Sequence, residues 1–134
     1  MNVVHLVEEA LYERLAAGVS YPAYRRLAPP NGTFPCVIYA RQSGIPEFTQ
    51  SELAGWTLVY QVKFVGRGYS NGALAHQADE LLWGLLQDNP LSIEGDDWRN
   101  VYLRRVSDVE YDELTEEGVY QHLGGLYQIE VVPA

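Results

Sequence analysis

A chain of 134 residues fits a single domain. At that length it buries roughly two thirds of its unfolded surface, so it needs no disulfide or metal staple to hold a core. Eighteen Asp and Glu against nine Lys and Arg leave a net charge of −9, which repels a polyanion at long range and excludes a broad duplex-binding face.

The elements follow in chain order. Val4, Val7, Leu11 and Leu15, with Val3 and Ala10 beside them, recur at helical spacing and predict a helix from Val3 to Ala17. Asn2 is placed to cap it and Gly18 to end it. Glu8, Glu9 and Glu13 occupy the other side, so this amphipathic helix should lie on a sheet. Tyr21–Arg26 reads as a short edge strand, because Pro22 cannot donate to a ladder. The turn Pro29-Pro30-Asn31-Gly32 leads into a strand from Phe34 to Ser43. Val37, Tyr39 and Arg41 take one face of it, Cys36, Ile38 and Ala40 the other, with Ile38 and its neighbours facing inward.

Gly44–Gly55 carries Pro46, several polar residues and the outward-looking Ile45 and Phe48, and reads as a long loop. Trp56–Val65 is the clearest strand: Leu58, Tyr60, Val62 and Phe64 share a face, opposite Thr57, Gln61 and Lys63. That period of two predicts an antiparallel sheet with one face buried. A glycine-rich turn from Gly66 to Gly72 opens a second helix to Gln87, with Leu74, Ala78, Leu81, Leu82 and Leu85 as its apolar stripe, stopped by Asp88-Asn89-Pro90. Trp98–Ser107 and Val119–Val132 predict two more strands, joined by an acidic connector, Asp108–Gly118, with Gly124-Gly125 marking a bulge. The order predicts an α+β domain: a mostly antiparallel sheet with two helices packed on one face.

Motifs for chemistry are sparse. Gly66-x-Gly68 sits between a strand and a helix, but the next glycine is Gly72, one place too late for a dinucleotide turn. His5, His76 and His122 share no metal-ligand spacing, and Cys36, the single cysteine, reads as a buried inert thiol. No serine stands in a nucleophile elbow. Asp108, Glu110 and Asp112 alternate, with Glu113, Glu116 and Glu117 following, so a divalent cation is conceivable there; a solvated acidic segment is the plainer reading. Nothing at the amino terminus reads as a secretory leader, and no apolar run approaches the length of a membrane span, so a soluble intracellular protein is expected. No catalysis and no cofactor are expected.

Several stretches carry a family likeness: Val19-Ser20-Tyr21-Pro22-Ala23-Tyr24, Ala28-Pro29-Pro30-Asn31-Gly32-Thr33-Phe34-Pro35 leading into Val37-Ile38-Tyr39, Tyr60-Gln61-Val62-Lys63-Phe64-Val65, Tyr69-Ser70-Asn71-Gly72-Ala73, Gly118-Val119-Tyr120, and Leu126 to Val131. In these the chain resembles the tail completion, or tail terminator, proteins of long-tailed bacteriophages and prophages, over most of its length. Cys36 stands where an aromatic residue is expected in that family. The resemblance implies a subunit of a ring, commonly a hexamer, that caps the tail tube, stops its polymerisation and offers the surface that joins the head. Its implied partners are copies of itself, the tail tube protein and the head connector protein, with DNA passing through without specific binding and no membrane. The implied location is the virion, at the tail and neck, after assembly in the host cytoplasm. Interface positions under this reading are Tyr21, Ile45, Glu47, Phe48, Glu52, Trp56, Tyr69 and Trp98. Trp83 is a further anchor candidate, although each Trp equally suits the core. Asp108, Glu110, Asp112, Glu116 and Glu117 would face an acidic lumen or a cation. A head-to-tail connector, or a small α+β ligand-binding module, remains the alternative.

Overall fold

A computed structural model describes residues 3–50, 52–68, 72–93 and 97–134. Helix α1 (Val3–Gly18) is followed by strands β1 (Ala23–Arg25), β2 (Cys36–Thr49) and β3 (Glu52–Arg67), helix α2 (Gly72–Leu86), and strands β4 (Trp98–Thr115) and β5 (Gly118–Pro133). The sheet order is β1-β2-β3-β5-β4, with β1 parallel to β2 and every other pair antiparallel. The α+β class and the mostly antiparallel sheet stand as the residue pattern predicted. The predicted Asn2 cap and the segment Tyr69-Ser70-Asn71 lie outside the described residues.

Both helices cover one sheet face. Val4, Val7, Leu11 and Leu15 of α1 and Leu82 and Leu86 of α2 pack on Leu58, Tyr60 and Val62 of β3 and Tyr127, Ile129 and Val131 of β5. Each such side chain withdrawn from water contributes about 1.5–3 kcal/mol. The α1 stripe is the predicted one. In α2 the stripe is rotated: Ala75, Ala78, Leu82 and Leu86 are buried, while Leu81 is exposed.

The opposite face is only partly covered. The parallel pairing of β1 with β2 forces the chain between them, residues 26–35, to cross over that face, and the Phe34–Pro35 peptide bond at its end is cis. There Ala28 and Phe34 shelter a small cluster of Cys36, Ile38, Val65 and Tyr120. Strand β2 is therefore buried on both faces from Cys36 to Tyr39: Val37 and Tyr39 look to the helices, Ile38 to the crossover.

Three expectations are overturned. The predicted Gly44–Gly55 loop is strand on both sides: β2 and β3 pair out to Thr49↔Glu52 through shifts at Arg41/Ser43 and Glu47/Phe48, and from Glu47↔Gly55 outward they form a two-stranded arm beyond the pairing of β3 with β5. The arm projects into solvent, so its residues are free of the apolar alternation that marks a strand over a core, and Pro46 hid it further. Asp108–Gly118 is likewise no connector: β4 continues to Thr115 and turns back at Gly118, where φ of +123° suits glycine. Charges along that outer edge are what keeps an open edge strand from pairing at random. Lastly, the register of β5 runs unbroken through Gly124 and Gly125, and the bulges fall on β4 at Asn100/Tyr102 and Arg105/Ser107. The two glycines serve close approach: a Cβ on Gly124 would strike the Val62 carbonyl oxygen, and one on Gly125 the Arg105 side chain.

Candidate functional site: sheet ends and the open face

The residues singled out from the sequence separate into three groups. Tyr21, Trp56 and Trp98 are half-buried packing residues. Tyr21 meets Phe64 edge-on with ring centroids 5.7 Å apart, and both tryptophans pack against the main core. Each keeps part of its ring at the surface while the rest packs on the fold. Tyr69 lies outside the described residues.

Glu47, Phe48 and Glu52 stand on the β2–β3 arm, with Ile45 at its root. Ile45 is 59% exposed and Phe48 64%. The register pairs Phe48 with Leu53 and Ile45 with Thr57, and the extra residue at the Glu47/Phe48 shift falls on β3. Alternation along β2 therefore puts Ile45 and Glu47 on the side away from the helices and Phe48 on the other. Glu47 accepts a hydrogen bond from the Thr57 hydroxyl at 2.7 Å, which fixes its carboxylate on the face it shares with Ile45.

The acidic set divides. Asp108, Glu110 and Asp112 pair with Gly125, Leu123 and Gln121 and share the helix-side face of β4. Asp108 also accepts from Arg105 at 3.3 Å. Glu116 and Glu117 lie at the β4–β5 turn, where Glu117 accepts from the Tyr120 hydroxyl at 3.1 Å and sits 3.8 Å from Arg67. Among the described residues no group of three His, Cys, Asp or Glu side chains converges as a metal would require.

The described residues form several concavities, three of them of a few hundred Å³. One of about 300 Å³ lies between the start of α2 and β4, with His76, Glu110 and Asp112 in its wall. A second of about 400 Å³ lies between α1 and β1, where Glu8 accepts from Arg25 at 3.1 Å. The third, about 240 Å³, is a groove on the open sheet face under the 26–35 crossover. It holds features that the sequence pattern did not single out. Lys63 is only 7% exposed and its Nζ donates to the Tyr111 hydroxyl at 2.7 Å. His122, equally buried, stacks on Tyr111 at 4.3 Å and its Nε2 lies 3.2 Å from Glu113. Burial, and then the Lys63 charge, hold the His122 pKa below its ordinary value against the pull of Glu113. Alternation along β3 placed Lys63 opposite the apolar face; it could not show that a crossover covers that side.

One further element escaped the sequence reading. Arg105 on β4 reaches over Gly125 to Asp79 on α2 and to the Tyr127 hydroxyl, donating at 3.0 Å and 2.7 Å. Burial opposes its charge, yet the bonds to Asp79 and Tyr127 outweigh that and hold the guanidinium above its usual pKa. This is a tie between layers: all its donors are engaged by the fold.

Fold and surfaces together define a small α+β domain with an arm at one sheet end and a half-covered groove at the other. No family model matches the sequence, and no curated protein does. A solved structure with a name that states no activity superposes with a TM-score of 0.59 over 97% of this chain and 94% of that one, at 14% identity. The likeness extends to the fold alone. Among the described residues no helix is long and apolar enough to cross a membrane.

Proposed function

We propose that this chain is a tail completion protein of a long-tailed phage or prophage: a subunit that forms a ring, a hexamer, on the end of the tail tube. The ring stops tube polymerisation and provides the surface to which the head connector binds. Catalysis has no part in this reading, and the protein belongs to the virion at the tail–neck junction. The observation that carries it is the β2–β3 arm, which takes Phe48 past the last residues of β3 that pair with β5 and into solvent. An apolar tip held away from its own core is suited to burial against another chain. The long outer edge of β4 supports the same view, since a strand from Trp98 to Thr115 with one open side is a surface for assembly. Its carboxylates at Asp108, Glu110 and Asp112, with the overall charge of −9, suit a lumen through which DNA slides without sticking.

The experiment is co-precipitation of the tagged chain with the tube protein and, separately, with the connector protein of the same genome. Tube binding together with an early end to tube growth is the expected result. Binding to the connector alone makes the chain a neck adaptor, and binding to neither removes the reading.

A further inference from the structure

We propose that the 26–35 crossover is a strap that lifts in acid, with His122 as the trigger and the apolar cluster around Cys36 as the surface it uncovers. The device belongs to the fold of one chain and does not depend on the ring.

Only one wall of the open-face groove is free to move. Lys63, Tyr111, Glu113 and His122 stand on β3, β4 and β5, strands locked to one another by continuous register. The other wall is the crossover, with Arg26, Leu27, Ala28 and Phe34. It is anchored at its start, where the Arg26 N–H donates to the Tyr39 carbonyl at 2.8 Å, and at its end, where it enters β2 at Cys36. Between the anchors, residues 28–34 make no backbone–backbone hydrogen bond to the sheet. The Gly32 N–H donates to the Pro29 carbonyl within the crossover, and the Thr33 N–H to the Tyr24 hydroxyl at 3.1 Å. Phe34 rests on Tyr120 with ring centroids 5.0 Å apart, and Ala28 completes the cover over the wholly buried Cys36. A segment held by side chains alone opens at lower cost than the strands beneath it.

Charge supplies the force. The groups around His122 are Lys63 on β3, Tyr111 and Glu113 on β4, Tyr120 on β5, Arg26 on the crossover and the neutral Cys36 thiol on β2. Asp112 stands behind them, on the helix-side face of β4. The groove thus sets two cations against one carboxylate before His122 titrates. Nε2 of His122 meets Glu113, while Nδ1 is buried with no hydrogen-bond partner. A proton there adds a third positive charge and an N–H that nothing in the closed groove accepts. Lifting the strap admits water to the charged ring and to Lys63, the solvation that closure denies them.

The direction with pH follows. Burial, and then Lys63, hold the closed-state pKa of His122 down, whereas a ring open to water titrates near pH 6.5. The lifted fraction is smallest above about pH 7 and grows as pH falls from about 6.5 towards the closed-state value, by at most about tenfold per pH unit.

The test is labelling of Cys36 by 4,4′-dithiodipyridine in the native full chain at pH 7.5, 6.5 and 5.5. Each rate is divided by that of the urea-unfolded chain at the same pH, which cancels the acidity of the thiol and leaves the lifted fraction. Tryptophan fluorescence reads the main core, against which Trp56 and Trp98 pack. In the wild type the ratio should rise about three- to tenfold between pH 7.5 and 5.5, with the fluorescence unchanged. His122→Gln should abolish the rise and Lys63→Met should reduce it, so either variant decides the matter if the other does not fold. A wild-type ratio that stays flat would mean that Tyr111 yields in place of the strap, and would overturn the proposal. So would a rise that survives in full in His122→Gln or Lys63→Met, or one that comes only with loss of the tryptophan signal.

Discussion

Replacing Arg105 with Ala removes the tie between the sheet and α2. The guanidinium bonds both Asp79 oxygens and the Tyr127 hydroxyl, and lies 5.3 Å from the Trp83 ring and 5.0 Å from that of Tyr127. Its side chain is 6% exposed and that of Asp79 19%. Removing one partner of a buried pair costs about 3–5 kcal/mol, since the other charge is left out of water without compensation. Residual exposure of Asp79 lets some water return, which lowers the expectation to about 2–3 kcal/mol. For a domain of this size each kcal/mol moves Tm by roughly 4 °C, so the fall should be about 8–12 °C. Scanning calorimetry, with urea titration followed by circular dichroism, reads both quantities. Asp79→Ala should cost a similar amount, and the double variant should cost less than the sum by at least about 1 kcal/mol. Single variants that each lower Tm by less than about 3 °C, or effects that simply add, would refute this account of the contact.

Other outcomes follow from the same packing. Gly124→Ala should lower stability by more than about 3 kcal/mol in urea titration, because its Cβ would meet β3 backbone; Gly84→Ala, on an open part of α2, should raise it by about 0.5–1 kcal/mol. Burial pushes the Cys36 thiol up to about 11, with Lys63 pulling the other way, so Ellman's reagent at pH 8 should label it only after unfolding. The His122 pKa is lowered in the fold, so the unfolded chain takes up a proton first as pH falls. Its contribution is complete above about pH 6.5 and is lost as pH falls from there through the folded value. Urea midpoints should therefore drop between pH 7.5 and 5.5 more steeply in the wild type than in His122→Gln, with Lys63, Tyr111, Asp112 and Glu113 left in place.

Much of the fold was legible because burial leaves a period. The α1 stripe and the β3 alternation both answer to a core that touches one side of each element. The same reasoning fails where an element leaves the core. Residues 44–49, 52–55 and 108–115 are strands held by backbone pairing alone on at least one side, and their side chains keep no apolar rhythm. At the candidate site, Ile45 and Phe48 were visible as apolar residues among polar neighbours, and they are exposed as expected. Tyr21, Trp56 and Trp98 show the opposite: an aromatic residue at a strand end fits a core as readily as a partner, and these three pack inward. The groove was not legible at all. It is made by a crossover from residues 26–35 meeting side chains of β2, β3, β4 and β5, and no local pattern records that meeting.

Negative-stain electron microscopy of tube protein polymerised with and without this chain bears most directly on what the protein is for. A ring of density at one terminus, on tubes that have stopped lengthening, is the predicted image. Bare ends and unchanged tube lengths, with the chain in excess, would contradict the account.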